Sequence, residues 1–192
     1  MKAINKLPEG YREICEIDLQ KNKKLAIPLN LVSIAIGVLM AFVMHFVVPI
    51  FSLFSMESGI KNYMLRFIVL LVLMVLYLIL HELVHGVAMK ICKTEKVKYG
   101  FTGLYAYAGS DDYYDKKSYI FIALAPVVLW GVIIAIINPF VPDEWFWVVY
   151  MIQIANISGA AGDFYVTAKF SKLPNDILVQ DQGVSMKVYS QK

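Results

Sequence analysis

The stretch "VLYLILHELVHGVAMKIC", residues 75–92, decides how this chain is read. Its first half is leucine, valine, tyrosine and isoleucine, the composition of a helix in lipid. His81, Glu82 and His85 interrupt it. A charged side chain near the middle of a bilayer costs about 2.5–3.5 kcal/mol on insertion scales, so residues of this kind mark function. His81 and His85 stand four apart, on one helix face and one turn from each other, where two imidazoles can converge on a single ion. Glu82 points to the adjacent face. This is the H-E-x-x-H arrangement, in which the histidines bind zinc and the carboxylate serves as general base toward water. The bland alternative is a set of polar side chains that join helices by hydrogen bonds. The cost of burying three such groups in one span weighs against it.

The rest of the chain agrees with a membrane setting. Of 192 residues, 59% are apolar and 17% charged, too little polar surface to coat a water-soluble domain. Leu25 to Met56 and Ser118 to Pro142 hold no Lys, Arg, Asp or Glu, Phe67 to Met89 is broken only by the His-Glu-His group, and Trp145 to Ala168 only by Asp163. Each run meets the roughly 20 residues a helix needs to cross about 30 Å of hydrocarbon. The expected fold is an all-α polytopic membrane protein with four transmembrane helices, at about 27–54, 66–92, 119–140 and 145–169. They make up a membrane domain over 25–170, between a cytosolic N-terminal segment (1–24) and a cytosolic tail (171–192). The first 24 residues are polar and mixed in charge, so the N-terminus reads as retained.

Lysine and arginine set the orientation. The N-terminal segment, the loop after the second helix and the tail are rich in them, the first loop is poor, and the third loop has none. That alternation predicts both termini in the cytoplasm. Trp145 and Trp147 then fall in the outer aromatic belt. Cys15 and Cys92 lie on the cytoplasmic side and are expected as reduced thiols. No basic patch with interleaved aromatics points to nucleic acid.

A catalytic zinc takes three protein ligands and keeps a position for water. Apart from His45, the other ionisable residue well inside a span is Asp163, in "QIANISGAAGDFYVTAKF" (153–170). Depth provides a check. At 1.5 Å per residue, His81 lies roughly 16 Å and Asp163 roughly 9 Å from the cytoplasmic ends of their helices, and His85 falls between. His45 lies toward the outer end of the first span, in the wrong leaflet. Ser158 to Gly162 form a small-residue face that lets helix backbones pack closely. Asn156, seven residues before Asp163, could hold a substrate carbonyl or oxyanion, or equally an interhelical hydrogen bond.

"HELVHG", "ALAPVV" (123–128) and "NISGAAGDFY" (156–165) together resemble the intramembrane metalloproteases of the site-2 protease class. They resemble still more a small bacterial family of zincin membrane peptidases. The N-terminal "LPEGYREICEIDLQKNKK" and the tail "LPNDILVQD" also fit that family, so the resemblance covers most of the chain. It implies zinc held by His81, His85 and Asp163, with Glu82 as base, in a multi-pass protein of the bacterial cytoplasmic membrane. One feature departs from the site-2 pattern: Gly162 precedes Asp163, where that class has Asp followed by Gly.

A peptidase needs its substrate extended. In "VKYGFTGLYAYAGS" (97–110), Val97, Tyr99, Phe101, Tyr105 and Tyr107 alternate with small or polar residues, a period of two that suggests a cytoplasmic-side strand or hairpin. Tyr99, Phe101 and Tyr105 are candidates to line an added substrate strand. An aromatic segment lying flat at the interface fits equally well. The acidic cluster Asp111, Asp112 and Asp115 reads as a solvated turn. "EICEIDL" and "DILVQD" are candidate short strands of a small cap. The reading is a zinc-dependent intramembrane or juxtamembrane endopeptidase acting near the cytoplasmic face on a membrane-protein or peptide substrate. The rivals are a non-catalytic zinc-binding membrane partner or chaperone and, behind it, a metal transporter. The transporter is disfavoured because the outer halves of the last three spans carry no acidic residue or histidine.

Overall fold

A computed structural model describes residues 2–18, 20–103 and 106–191. In chain order the elements are β1 (Arg12–Asp18), α1 (Lys23–His45), α2 (Gly59–Ile91), β2 (Lys98–Phe101), β3 (Ala106–Gly109), β4 (Tyr113–Asp115), α3 (Lys116–Ile137), α4 (Asp143–Gly159), α5 (Ala161–Ser171), β5 (Leu178–Asp181) and β6 (Ser185–Ser190). Short 3₁₀ turns cover Ile50–Phe54 and Asn138–Phe140.

Among the described residues, three stretches are helical, long and apolar enough to cross a bilayer: Lys23–His45, Gly59–Ile91 and Lys116–Phe140. This is a membrane protein. No residue of α1 is buried, and Leu31, Ile34, Val38 and Phe42 stand exposed along it, as a lipid-facing helix requires. The expected span at 27–54 ends earlier, at His45, whose Nδ1 accepts the Ile50 N–H at 3.1 Å just after Pro49. The fourth expected span, 145–169, is not one helix. Backbone continuity is lost at Ala160 (φ −80°, ψ 16°), between α4 and α5, inside the run of small residues. Glycines at 159 and 162 weaken the helix there, since each costs about 1 kcal/mol relative to Ala.

The all-α expectation is corrected by six strands among the described residues. The expected hairpin after the second helix is present as β2 and β3, whereas the other strands are short and carry charge, and β1 exposes most of its residues. Four of them form an antiparallel sheet in the order β1-β6-β5-β4, and β2 pairs with β3 in a separate hairpin. The candidate strands "EICEIDL" and "DILVQD" fall on β1 and β5.

The chain forms two compact units, and α2 and α3 each contribute to both. The first comprises Met1–Leu29, Leu80–Pro126 and Gly162–Lys192. Its core joins Met89 and Cys92 of the α2 end, Tyr119 and Ile122 of α3, Val166 and Phe170 of α5, and Ile17, Val179 and Val188 of the sheet. In this unit α2 stops without a glycine. Lys93 adopts φ 65°, its N–H bonds Lys90 O, and the Thr94 N–H reaches back to Met89 O, which completes a Schellman cap. Asp115 caps α3 by accepting the Ser118 N–H at 2.8 Å. Asp111 pairs with Lys98, and Asp112 is buried and accepts the Glu95 N–H, so the acidic cluster is divided among separate structural tasks.

The second unit comprises Asn30–Ile79 and Val127–Ala161. Trp147 is fully buried there, and its indole N–H donates to Val48 O and Pro49 O. Arg66, also buried, donates to the carbonyls of Ser52, Ser55 and Glu144, which ties the 3₁₀ turn to the start of α4.

Candidate metal centre

The first unit brings His81, His85 and Asp163 together. The Nε2 atom of His81 lies 3.7 Å from Asp163 Oδ2, and that of His85 lies 3.7 Å from Asp163 Oδ1. The two imidazole rings stand 4.9 Å apart at 76°, edge to face. One donor atom from each residue falls within 4.8 Å of the other two. α2 supplies the histidines at successive turns, and Asp163 sits in the first turn of α5. The helix break at Ala160 therefore starts a new helix just ahead of this carboxylate.

The donor set fits zinc. Two neutral imidazoles and a carboxylate are its ordinary ligands, and bonds of about 2.0–2.2 Å at tetrahedral angles separate ligand atoms by roughly 3.3–3.5 Å. The 3.7 Å separations run to the two different oxygens of Asp163, and one donor from each residue lies within 4.8 Å of the others, so the three side chains would draw together to hold the ion. The order Gly162-Asp163, reversed from the site-2 pattern, still delivers the carboxylate to both histidines.

Three further contacts surround the cluster, and sequence reasoning missed all of them. His85 Nδ1 lies 2.9 Å from the backbone carbonyl of Ile122 on α3. An N–H donated there leaves Nε2 as the lone-pair atom facing Asp163 and its neighbours. The backbone N–H of Ala108 on β3 hydrogen-bonds the Glu82 carboxylate. Tyr99, the cross-strand partner of Ala108, rests its phenol on Gly86, one turn beyond Glu82 on the same helix face. Two of the three partners are main-chain groups, which leave no mark in a side-chain pattern.

The hairpin corrects one detail of the expected alternation. Tyr99 pairs with Ala108 and Gly100 with Tyr107, so Tyr99 and Tyr107 face opposite sides of the two-stranded sheet. Tyr107 covers Gly100 on the far side. Phe101 is exposed. Tyr105 lies outside the described residues.

Asn156 belongs to the second unit and is completely buried. Its Oδ1 accepts the Tyr77 hydroxyl at 3.0 Å, and its Nδ2 donates to Val127 O at 3.0 Å. The amide thus links α2, α3 and α4. Back in the first unit, a carboxylate that the sequence did not single out, Asp181, ends β5. It accepts the Tyr119 hydroxyl at 2.9 Å and the Gly183 N–H at 2.8 Å. Burial pushes its carboxyl up to about 6, against the lowering effect of those two donors.

A family profile described as "Putative zincin peptidase" matches residues 73–178, which takes in α2 from the HELVH segment through α5. The chain belongs to this family. Zincins are metallopeptidases, so family and donor cluster agree on a metal, with zinc the expected ion. The chain is also similar to the "Uncharacterized 24.7 kDa protein in gap 5'region" of Pyrococcus woesei, with 33% identity over 119 residues, 59% of this chain and 51% of that one. The aligned part thus spans about half the length of that curated relative. No solved structure matches this zincin.

Proposed function

We propose that this zincin is a zinc-dependent endopeptidase that cuts membrane-protein substrates, or remnant peptides left from them, within or beside the membrane near its cytoplasmic face. The observation that carries this reading is the His81, His85 and Asp163 cluster with Glu82 on the adjoining helix face. The two imidazoles and the carboxylate would hold the ion. When bound, zinc supplies Lewis-acid chemistry, polarising the scissile carbonyl and making water acidic enough to attack at neutral pH. Glu82 takes the proton from the attacking water and hands it to the leaving amine. The Ala108 N–H holds the Glu82 carboxylate in place for both transfers. Among the described residues β2 pairs with β3 alone, so its outer edge can accept an extended substrate as a further strand. Tyr99 and Phe101 would flank that strand.

Four crossings belong to the same reading. The pairing of β1 with β6 supports placing both ends of the chain on one side of the membrane. An odd number of crossings does not allow that. The apolar run from Trp145 to Ala168, carried by the 17 residues of α4 and the 11 of α5, would supply the fourth crossing. The abundance of Lys and Arg near both ends supports the cytoplasm as that side.

The test uses the purified full chain in detergent with fluorescently labelled β-casein as an unstructured probe. Glu82→Gln should keep its zinc and lose cleavage by 10²–10⁴-fold. A Glu82→Gln protein that cleaves like the wild type would remove the peptidase reading and favour a zinc-holding membrane partner.

A further inference from the structure

In an α-helix the carbonyl of residue i accepts the N–H of residue i+4. The carbonyl of Ile122 should therefore be taken by residue 126. Residue 126 is proline, inside α3, and proline has no N–H. The proline ring also crowds the carbonyl four residues back, which turns it away from the helix axis. The freed carbonyl is the one that lies 2.9 Å from His85 Nδ1. Ile122 itself is buried in the core of the first unit, the residue as a whole 1% exposed, so no bulk water competes for that acceptor. A carbonyl already bonded within its helix would be a poorer and less accessible partner for the imidazole.

From this juxtaposition we infer that Pro126 is a positioning residue for the metal centre: by withholding its N–H, it frees the Ile122 carbonyl to orient His85 with Nε2 toward the ion. The inference rests on the proposed zinc site and deepens it. It gives a task to the proline of "ALAPVV", which stands inside α3 with eleven helical residues beyond it, to Ile137. It also accounts for a polar hydrogen bond between an α2 side chain and the interior backbone of an unbroken helix.

Pro126→Ala and Pro126→Gly both return an N–H to position 126, one in a good helix former and one in a poor one. Zinc affinity is read by chelator competition on the purified full chain, and the melting temperature of the metal-free protein is read beside it. Loss of an outer partner of a ligating histidine typically weakens metal binding by 10–100-fold. The expected result is that loss in both variants, with the metal-free Pro126→Ala protein melting at or above the wild-type temperature, because α3 regains a hydrogen bond. Bound cobalt(II) should show altered visible bands in both. Wild-type zinc affinity in either variant overturns the inference, and so does an affinity loss matched by a lower metal-free melting temperature in both. A wild-type chain that binds no zinc removes the underlying site, and this role for Pro126 with it.

Discussion

The Tyr99 phenol occupies the space in which a side chain on Gly86 would begin: a Cβ there would stand 2.6 Å from Tyr99 Cζ and closer still to the hydroxyl. Gly86 follows directly after the second histidine, and Tyr99 faces Ala108, whose N–H holds Glu82. The missing side chain is what lets the hairpin sit against the face of α2 that carries Glu82. Gly86→Ala should push Tyr99 outward and carry the Ala108 N–H away from the carboxylate. Cleavage should fall at least tenfold, roughly what loss of one hydrogen bond to a charged group, about 1.5–3 kcal/mol, would produce. Zinc content should stay at the wild-type level. In a Tyr99→Ala background the added methyl meets no ring, so a double-mutant cycle should return most of the penalty as coupling.

Asn156 offers a different outcome. Its amide is completely buried and bonded at both ends, to Tyr77 and to Val127. Asn156→Ala removes both of these hydrogen bonds, each worth about 0.5–1.5 kcal/mol. Thermal unfolding in detergent should show a lower melting temperature with zinc content unchanged. An unaltered melting temperature with lost turnover would assign this amide to the reacting carbonyl.

Asp181 makes stability depend on pH. Its carboxyl is raised from 3.8 to about 6 in the folded chain because burial disfavours the anion. The folded state therefore holds this proton more tightly than the unfolded one. That contribution to stability is fully present below about pH 4 and is lost as pH rises through 6. Asp181→Asn, which cannot ionise, should flatten the metal-free melting temperature between pH 4 and 7 relative to the wild type. A variant with the wild-type slope over that range would show that another group sets it.

The pairing of β1 with β6 makes a topological prediction. Tags on the N-terminus and on the C-terminus should both be shielded from a protease added outside intact cells, and both cut in inverted vesicles. Opposite outcomes for the two ends would contradict the discontinuous fourth span.

The parts of this architecture that were legible in the sequence are those in which side chains pay for lipid exposure. His81, Glu82, His85 and Asp163 stood out because ionisable groups are scarce in the apolar runs. The ends of helices were harder to read. Lys93 closes α2 in a left-handed conformation usually left to glycine, and no composition signal marks it. The break at Ala160 is written in glycines that served equally well as a packing face. The four-stranded sheet escaped because it draws strands of three to seven residues from both ends of the chain and from the loop before α3. The Ala108 and Ile122 contacts are made by the backbone, and only Pro126, four residues after Ile122, leaves a trace of one of them.

The most direct measurement is the zinc content of the purified chain beside His81→Ala, His85→Ala, Asp163→Ala and Glu82→Gln. A single ion per chain in the wild type and in Glu82→Gln, with loss in the other three, is the predicted result. Full zinc occupancy in Asp163→Ala would contradict a centre built from two turns of α2 and the first turn of α5.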